Sequence, residues 1–402
     1  MNFKLPVVFF CFLIVSETPI LAQRDTFRLM QYNLLFFPEN NPVKASYLNT
    51  ILEYYQPDVI GLNELTDSSA FDSIASSTPV GKWAFGPWYP DEVISNGVMY
   101  NPQRLVLASS FAFQTLPRKT HVYKFYNPGQ DFELYPDTVY MTFLSTHFKS
   151  SQGSTNENTR LIQAIDINDY IRVFEPSNLV LTGDFNMYTS AEPAYQRLTE
   201  PGSDRLEDPL NRPGSWNNNG SFADVHTQSP RTISLDGGSG GGLDDRFDII
   251  LVRPEIMQGT GGLTYIPGSY HVPGNDGMHF NRSILDLPEN NSAPDSILQA
   301  LYAMSDHLPV LLDLEFDPSQ VSTQTADYNN LPCDEFIGLQ AENYLLNKST
   351  KIYNLQGSEI EAESLILSKK YGIYIVKHLC NNGDYVYRKM HITVSGDLLF
   401  SH

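Results

Sequence analysis

The sequence predicts an α+β protein in two parts, a long region in which strands alternate with helices and a small all-β module after it. Three observations predict this. Apolar runs typical of strands alternate with helical apolar spacing through the first part. The 23 Tyr and 23 Phe residues suit well-filled, β-rich cores. Short alternating runs separated by turn signals follow a polar linker at residues 319–334.

The predicted elements of the first part follow in a regular order. "TFRLMQYNLL" predicts a strand, and "KASYLNTILEYY" predicts a helix because its apolar residues recur at helical spacing. "TRLIQAIDINDYI" predicts an amphipathic helix, and "NGVMYN" with "LVLASSFAF" predicts a hairpin. Further strands are predicted at "VIGLNE", "TVYMTFLSTHF", "NLVLTGDFN", "DRFDIILV" and "HLPVLLDLEF". Gly- and Asn-rich stretches such as "LDGGSGGGLDD" predict long loops between them.

The N-terminus predicts a secretory signal peptide over residues 1–22. Lys4 precedes an apolar core, and Ala22 supplies a small residue at the cleavage site. No later segment has the roughly 18 consecutive apolar residues that a membrane-spanning helix needs. We therefore expect a monomeric protein that is secreted or held at the cell surface, exported through the periplasm. Cys333 and Cys380 follow the signal peptide, and whether they pair stays open.

The formal net charge is −20, and no run of basic residues offsets it. Proteins that bind polyanions usually carry a basic patch. If the substrate is anionic, a divalent cation is therefore the obvious group to hold it.

Polar side chains recur where the predicted strands end. Carboxylate and amide oxygens are the ligands that Mg²⁺ prefers, and imidazoles can contact a phosphate. Hydrolysis of a phosphate ester needs charge neutralisation of the phosphoryl oxygens and a positioned water, which such a set could provide. The residues are Asn33, Glu64, His147, Asp184, Asn186, Asp306 and His307.

Six fragments in this order resemble the endonuclease/exonuclease/phosphatase superfamily: "QYNLL", "GLNE", "STHF", "LTGDFN", "DRFDIIL" and "SDHLPV". The resemblance covers roughly residues 26–316, within a catalytic domain at residues 23–318. It implies a four-layer α/β/β/α sandwich of two mixed sheets. It also implies Mg²⁺ as the cofactor, with Mn²⁺ and Ca²⁺ as further candidates.

The resemblance also implies roles for individual residues. Asn33, Glu64 and Asp306 match the positions that bind the metal, and Asp184 with Asn186 match the pair that holds the attacking water. His307 matches the imidazole on the scissile phosphate, with Asp248 fixing its tautomer, and His147 matches a second imidazole. One departure is Asn63, where many members have Gln.

The substrate is less constrained than the chemistry. "THFKSSQGSTNENTRLIQA" is similar to secreted bacterial nucleases, which implies that Lys149 and Arg160 contact phosphates beside the scissile one. We therefore expect a nuclease acting on DNA, RNA or both. The alternatives are a secreted phosphodiesterase or phosphatase for phospholipids, as in sphingomyelinases, or for sugar or inositol phosphates, and a non-catalytic binding module.

The C-terminal module resembles the sorting domain of the type IX secretion system of Bacteroidetes. The resemblance covers residues 335–402 and is carried by "IYNLQGSEI", "GIYIVKHL" and "YRKMHITV". It implies a small β-sandwich whose partner is that secretion machinery. An accessory β-sandwich that binds carbohydrate or polymer is the alternative.

Overall fold

The structure, a computed structural model, describes residues 25–38, 43–132, 135, 137–321, 350–354, 359–360, 372–379, 385–392 and 398–401. The predicted signal peptide, most of the predicted linker, and both Cys333 and Cys380 lie outside these residues.

Eleven strands and six helices precede the linker in the described residues. The strands are β1 (Asp25–Phe37), β2 (Val59–Leu65), β3 (Ala84–Phe85), β4 (Ser95–Tyr100), β5 (Val106–Thr115), β6 (Arg118–Tyr126), β7 (Tyr140–His147), β8 (Leu179–Asp184), β9 (Asp248–Val252), β10 (Leu263–Tyr265) and β11 (Val310–Phe316). The helices are α1 (Lys44–Tyr55), α2 (Ser69–Ser77), α3 (Ser154–Phe174), α4 (Pro193–Thr199), α5 (Pro254–Gln258) and α6 (Asp295–Met304).

These strands form two mixed sheets. The first has the order β10-β11-β1-β2-β4-β3, and the second has the order β5-β6-β7-β8-β9. Each contains one parallel pair, β1 with β2 and β7 with β8, and its other pairs are antiparallel. A parallel pair requires a crossover, and helices α1 and α3 supply the two crossovers.

The alternation of side chains along β8 shows how the layers pack. Val180 contributes to the core between the two sheets, while its neighbours Leu179 and Leu181 contribute to a second core with helix α3. Successive residues of a strand point to opposite faces, so both faces of this sheet are covered. Leu48 of α1 and Leu301 of α6 join the core of the first sheet, which completes the predicted sandwich of sheets and helices.

Most of the predicted elements are confirmed, and one pairing is wrong. The helices predicted at "KASYLNTILEYY" and "TRLIQAIDINDYI" lie within α1 and α3. The predicted hairpin does not form, because β4 pairs with β2 and β3 in the first sheet whereas β5 pairs with β6 in the second. The segment between β4 and β5 therefore crosses from one sheet to the other, which adjacency in the sequence does not reveal.

Beyond the linker, the described residues form one antiparallel sheet. Its strands are β12 (Thr350–Asn354), β13 (Glu359–Ile360), β14 (Gly372–Leu379), β15 (Tyr385–Ile392) and β16 (Leu398–Ser401), in the order β13-β12-β14-β15-β16. The strands predicted at "GIYIVKHL" and "YRKMHITV" are β14 and part of β15. In the described parts of the chain, no helix combines the length and apolarity needed to cross a bilayer.

Candidate active site

The parallel strands carry polar side chains to one edge of the sandwich. In the second sheet, His147 at the end of β7 lies opposite Asp184 at the end of β8, and Asp184 lies opposite Asp248 at the start of β9. Asn33 in β1 and Glu64 in β2 lie at the corresponding edge of the first sheet. The two sheets face each other, so the two sets meet.

One amide joins the two sets directly. Asn33 Nδ2 donates to Glu64 Oε1 at 3.1 Å in its own sheet and to Asp184 Oδ2 at 3.0 Å in the other. Asn33 Oδ1 accepts from the backbone N–H of Leu35 at 3.0 Å. The residues expected at metal and water positions are therefore in contact, although up to 151 positions separate them in sequence.

Asn63, the departure from the family pattern, forms further hydrogen bonds between the two sheets. It is fully buried, and its Oδ1 accepts from the backbone N–H of Asp184 at 2.9 Å. Its Nδ2 donates to the carbonyl oxygen of Thr146 at 3.0 Å. Both partners lie in the second sheet, so this amide fixes the backbone that carries Asp184 and His147.

Asp248 and His307 form a buried pair. Asp248 Oδ2 lies 2.6 Å from His307 Nδ1, and Asp248 is fully buried. An ionised carboxylate only accepts hydrogen bonds, so the pair places a proton on Nδ1 and directs Nε2 toward the site. Burial alone would lower the pKa of His307, but the charges of Asp248 and Asp184 outweigh it and raise the pKa well above its usual value.

The pKa of His147 is shifted in the opposite direction to that of His307. Its Nε2 lies 3.5 Å from Asp184 Oδ2. Burial, with the nearby positive charge of Arg118, lowers the pKa of His147 well below its usual value. The site thus combines an imidazole that favours the neutral form with one that favours the charged form, which suits separate roles in proton transfer.

The carboxylates fit a divalent cation. Burial raises the pKa of Glu64, and the negative charge of Asp306 raises it further. Burial is also the main cause that raises the pKa of Asp184. Glu64 Oε2 and Asp306 Oδ1 are buried and have no hydrogen-bond partner among the described residues. Oxygen atoms that are buried, acidic and unpartnered are the donors that a hard cation takes.

Ligand atoms of Glu64, His147 and Asp184 lie within 4.8 Å of one another, a second grouping that could hold an ion. The predicted set of Asn33, Glu64 and Asp306 shares only Glu64 with it. Glu64 is thus the residue common to both groupings.

The backbone is unusual at two of these positions. Glu64 has φ 59° and Asn186 has φ 51°, both in the left-handed region. Asn adopts this region more readily than most residues, whereas Glu does so at a cost of about 1–3 kcal/mol. Such a conformation persists when its surroundings hold it in place, and it aims the Glu64 carboxylate at the site.

An open cleft of about 560 Å³ is lined by Glu64, His147, Asp184, Asn186, Asp306 and His307. The Gly-rich loop predicted at "LDGGSGGGLDD" forms part of its wall, and the backbone N–H of Ser239 donates to Asp306 Oδ2 at 2.6 Å. A side chain at Gly238 would bring its Cβ within 2.9 Å of the Asp306 carboxyl carbon. The glycine therefore permits the close approach of this loop to Asp306.

Two predicted substrate contacts fall outside the cleft, and one needs correction. Lys149 does not line the cleft, and its Nζ donates to the adjacent Ser150 carbonyl oxygen at 3.0 Å. Arg160 is fully buried and forms an ion pair with Glu192 at 2.7 Å. Its Nη1 donates to the carbonyl oxygens of Lys149 and Ser151, both at 2.9 Å. Arg160 therefore braces the loop after β7 and does not face a substrate.

Sequence reasoning missed two cleft residues, Arg118 and Gln228. Arg118 is the one Lys or Arg among the described residues that line the cleft, and its Nη1 donates to the carbonyl oxygen of Phe148 at 3.0 Å. Gln228 Nε2 lies 2.7 Å from His307 Nε2. Neither residue belongs to the fragments that carry the family resemblance, so only the fold brings them to the site.

The chain is similar to several solved structures. Solved structures with the same fold include D. rerio TDP2 complexed with single-strand DNA product, at 14% identity and a TM-score of 0.50, covering 72% of this chain and 98% of that one. A mannosyl-6-phosphatase of Bacteroides thetaiotaomicron matches at 14% identity and a TM-score of 0.47, covering 72% and 99% of the two chains. The human Nocturnin catalytic domain matches at 18% identity and a TM-score of 0.43, covering 73% and 97%.

At 14% identity the match to D. rerio TDP2 shows the fold alone. No curated protein sequence matches the chain. Residues 30–307 match the sequence model of the Endonuclease/Exonuclease/phosphatase family. The match spans more than half of the chain and includes the residues of both sheets that form the site. The chain therefore belongs to the endonuclease/exonuclease/phosphatase family, whose members hydrolyse phosphoester bonds.

Proposed function

We propose that the chain is a divalent-metal-dependent phosphodiesterase, and that nucleic acid is its first candidate substrate. One observation carries the proposal: a buried acidic cluster around Glu64 and Asp184 lies beside the Asp248–His307 pair in an open cleft. An acidic cluster can hold a cation, and an oriented imidazole can contact a phosphate. Together they supply what phosphoester hydrolysis needs.

Each residue has a role in this proposal. Asp184 and Asn186 hold the attacking water, and Asp184 accepts its proton, since a carboxylate with a raised pKa is a better base. His307 donates from Nε2 to a phosphoryl oxygen while Asp248 holds its Nδ1 proton. His147 contacts a second phosphoryl oxygen.

The metal would be held by Glu64 together with Asp306 and Asn33, and Mg²⁺, Mn²⁺ and Ca²⁺ are the candidates. When bound, such an ion neutralises negative charge on the phosphoryl oxygens. Asn33 would bind the ion through Oδ1, which accepts one hydrogen bond from Leu35 and has a second lone pair, while its Nδ2 donates to Glu64 and Asp184.

The charge around the cleft supports a second candidate, a small phosphoester such as a sugar phosphate. Asp91 and Glu92 line the cleft, and among the described residues Arg118 is the one Lys or Arg beside them. Acidic side chains at the rim repel every phosphate of a polymer, whereas a small phosphoester on a neutral sugar brings only one. A nuclease would need cations outside the cleft, and Lys149 is the candidate.

Parallel digestion separates these candidates. Plasmid DNA, RNA, sphingomyelin and a hexose phosphate would each be incubated with the protein and Mg²⁺, Mn²⁺ or Ca²⁺. We expect cleavage of DNA or RNA that stops in EDTA and in Asp184→Asn. The exposed Asp72→Asn variant is the matched control and should retain activity. Turnover of the sugar phosphate or sphingomyelin alone would replace the nuclease proposal. No turnover of any substrate would favour a binding module.

We further propose that residues 1–22 and 335–402 direct export in two steps through the periplasm and the type IX machinery, and that the protein is a monomer. The resemblance of the C-terminal module supports this proposal. Deleting residues 335–402 should leave active enzyme in the periplasm, measured by fractionating the cells and assaying each fraction. Normal release of the truncated enzyme into the medium would contradict the sorting role.

A further inference from the structure

Gln228 contacts both the imidazole proposed to bind phosphate and a proposed metal ligand. Its Nε2 lies 2.7 Å from His307 Nε2 and 3.4 Å from Asp306 Oδ2. Because Asp248 occupies Nδ1 of His307, Nε2 is the ring nitrogen left to meet a substrate. The Gln228 amide nitrogen therefore lies against the atom that a phosphoryl oxygen must reach.

The backbone of Gln228 is fixed. Its N–H donates to the Asp245 carbonyl oxygen at 3.1 Å, and its own carbonyl oxygen accepts from Asp244 at 2.9 Å and from Asp245 at 3.1 Å. The residues just before β11 are bonded to the same segment, because the Leu308 N–H donates to the Thr227 carbonyl oxygen at 2.7 Å. The side chain, by contrast, is half-buried and lines the cleft. In Gln228, therefore, the side-chain amide can move when a ligand enters, while the backbone is held in place.

We propose that Gln228 is a phosphate-binding residue, a proposal that rests on the proposed function. A phosphoryl oxygen that bonds to His307 Nε2 displaces the amide from that nitrogen. The displaced N–H remains tethered to a fixed backbone, so it stays within reach of that oxygen or of a second oxygen on the same phosphorus. The amide N–H donates and a phosphoryl oxygen accepts, so the amide exchanges its contact with Nε2 for one with the phosphate. His307 Nε2 meets the same phosphate as a donor when it carries a proton, and as the acceptor from a P–OH group of inorganic phosphate when it does not.

A neutral donor suits this position better than a cation. Glu64, Asp184 and Asp306 already form an acidic cluster there. A Lys or Arg would pair with these carboxylates and compete with the metal for them. An amide can contact the phosphate without taking a carboxylate from the metal.

Phosphate binding tests the proposal without requiring turnover. Inorganic phosphate would be titrated into the full chain with Mg²⁺ present, and followed by calorimetry and ³¹P NMR. Gln228→Met keeps the length of the side chain and removes the amide. Gln196→Met makes the same change on an exposed position of α4, outside the cleft, and serves as the control. We expect phosphate to bind about tenfold more weakly to Gln228→Met, the loss of about one hydrogen bond, and unchanged binding to Gln196→Met.

A double-mutant cycle separates direct contact from positioning of the imidazole. If Gln228 acted only by orienting His307, adding Gln228→Met to His307→Ala would leave phosphate affinity unchanged, because there is no ring to orient. We expect a further loss of several-fold in that background. No further loss, equal affinity of wild type and Gln228→Met, or no phosphate binding to wild type would each overturn the proposal. Absence of phosphodiester turnover with phosphate binding intact would reject only the proposed function.

Discussion

Replacing Asn63 with Leu tests whether one buried amide fixes the two sheets at the active-site edge. Asn63 lies in β2, and both its contacts with Asp184 and Thr146 cross to the second sheet. Leu has a similar volume and no polar atoms. The variant therefore keeps the shape of the core and removes these two hydrogen bonds between the sheets, while the contact of Asn33 with Asp184 remains.

The expected loss of stability is large for a single side chain. The backbone N–H of Asp184 and the carbonyl oxygen of Thr146 would each lose a partner in a buried environment. Gln31 Nε2 and Asn96 Oδ1, which contact Asn63 at 2.6 and 2.7 Å, would each lose one as well. A buried polar group without a partner costs about 1–3 kcal/mol, so the two backbone groups alone cost about 2–6 kcal/mol and the two side-chain amides add to the loss. The total stability of a typical domain is only about 5–15 kcal/mol. We also expect slower catalysis, because the backbone that carries Asp184 is released.

Unfolding of the wild type and the variant in urea measures the difference in free energy of unfolding. Asn158→Leu, an exposed position of α3, is the matched control and should change stability by less than about 0.5 kcal/mol. A loss below about 1 kcal/mol for Asn63→Leu would refute the reasoning, since it would mean that both backbone groups find other partners.

Three further predictions concern the metal, the cations and the response to acid. Glu64→Ala should stay folded but lose activity on the order of 100-fold or more and its response to Mg²⁺, measured by turnover across metal concentrations; full activity in EDTA would contradict the ligand assignment. Arg118→Ala should reduce kcat/KM on polymeric DNA and on a small phosphodiester alike, because it lines the cleft. Lys149→Ala, which changes a residue outside the cleft, should raise KM on the polymer only, and equal losses on both substrates would place Lys149 at the scissile phosphate. Burial, with the charge of Lys119, lowers the pKa of His121 to about 3. Below its ordinary pKa of about 6.5, the unfolded chain binds a proton at His121 that the folded protein excludes, so stability falls as the pH falls from about 6.5 to 3. The loss at pH 5 is about 2 kcal/mol relative to pH 8, and His121→Phe should remove that part of the fall in urea unfolding at the two pH values; an equal fall in the variant would show that other groups cause it.

Most of the residues that meet at this edge of the sandwich could be predicted from the sequence because they follow recognisable strands. Glu64, His147 and Asp184 each come at or next to the end of an apolar run, and each lies at the same edge of the sandwich. A strand fixes the direction and face of its side chains through local geometry, so polar residues at strand ends can be recognised before the fold is known. The contact between Asp248 and His307 came from the family resemblance, and the 2.6 Å distance confirms that the two residues are paired.

The cations were predicted least well. The resemblance to secreted bacterial nucleases implies that Lys149 and Arg160 contact phosphates, but the helical position of Arg160 turns its side chain into the protein toward Glu192. Arg118 lies at the start of β6, in no fragment of the family pattern, yet it reaches the cleft. Whether a long charged side chain meets solvent or a buried partner depends on what packs against it, and that partner is remote in sequence.

The sequence by itself determined the family, the alternation of strands and helices, and the identity of the acids and imidazoles at the strand ends. These follow from local periodicity and from short motifs, both of which are properties of neighbouring residues. Only the tertiary structure decided that β4 and β5 belong to different sheets, that Asn63 joins those sheets, and that Gln228 lies against His307. Such contacts depend on how two twisted sheets face each other, and the sum of many weak packing interactions across the core sets that arrangement.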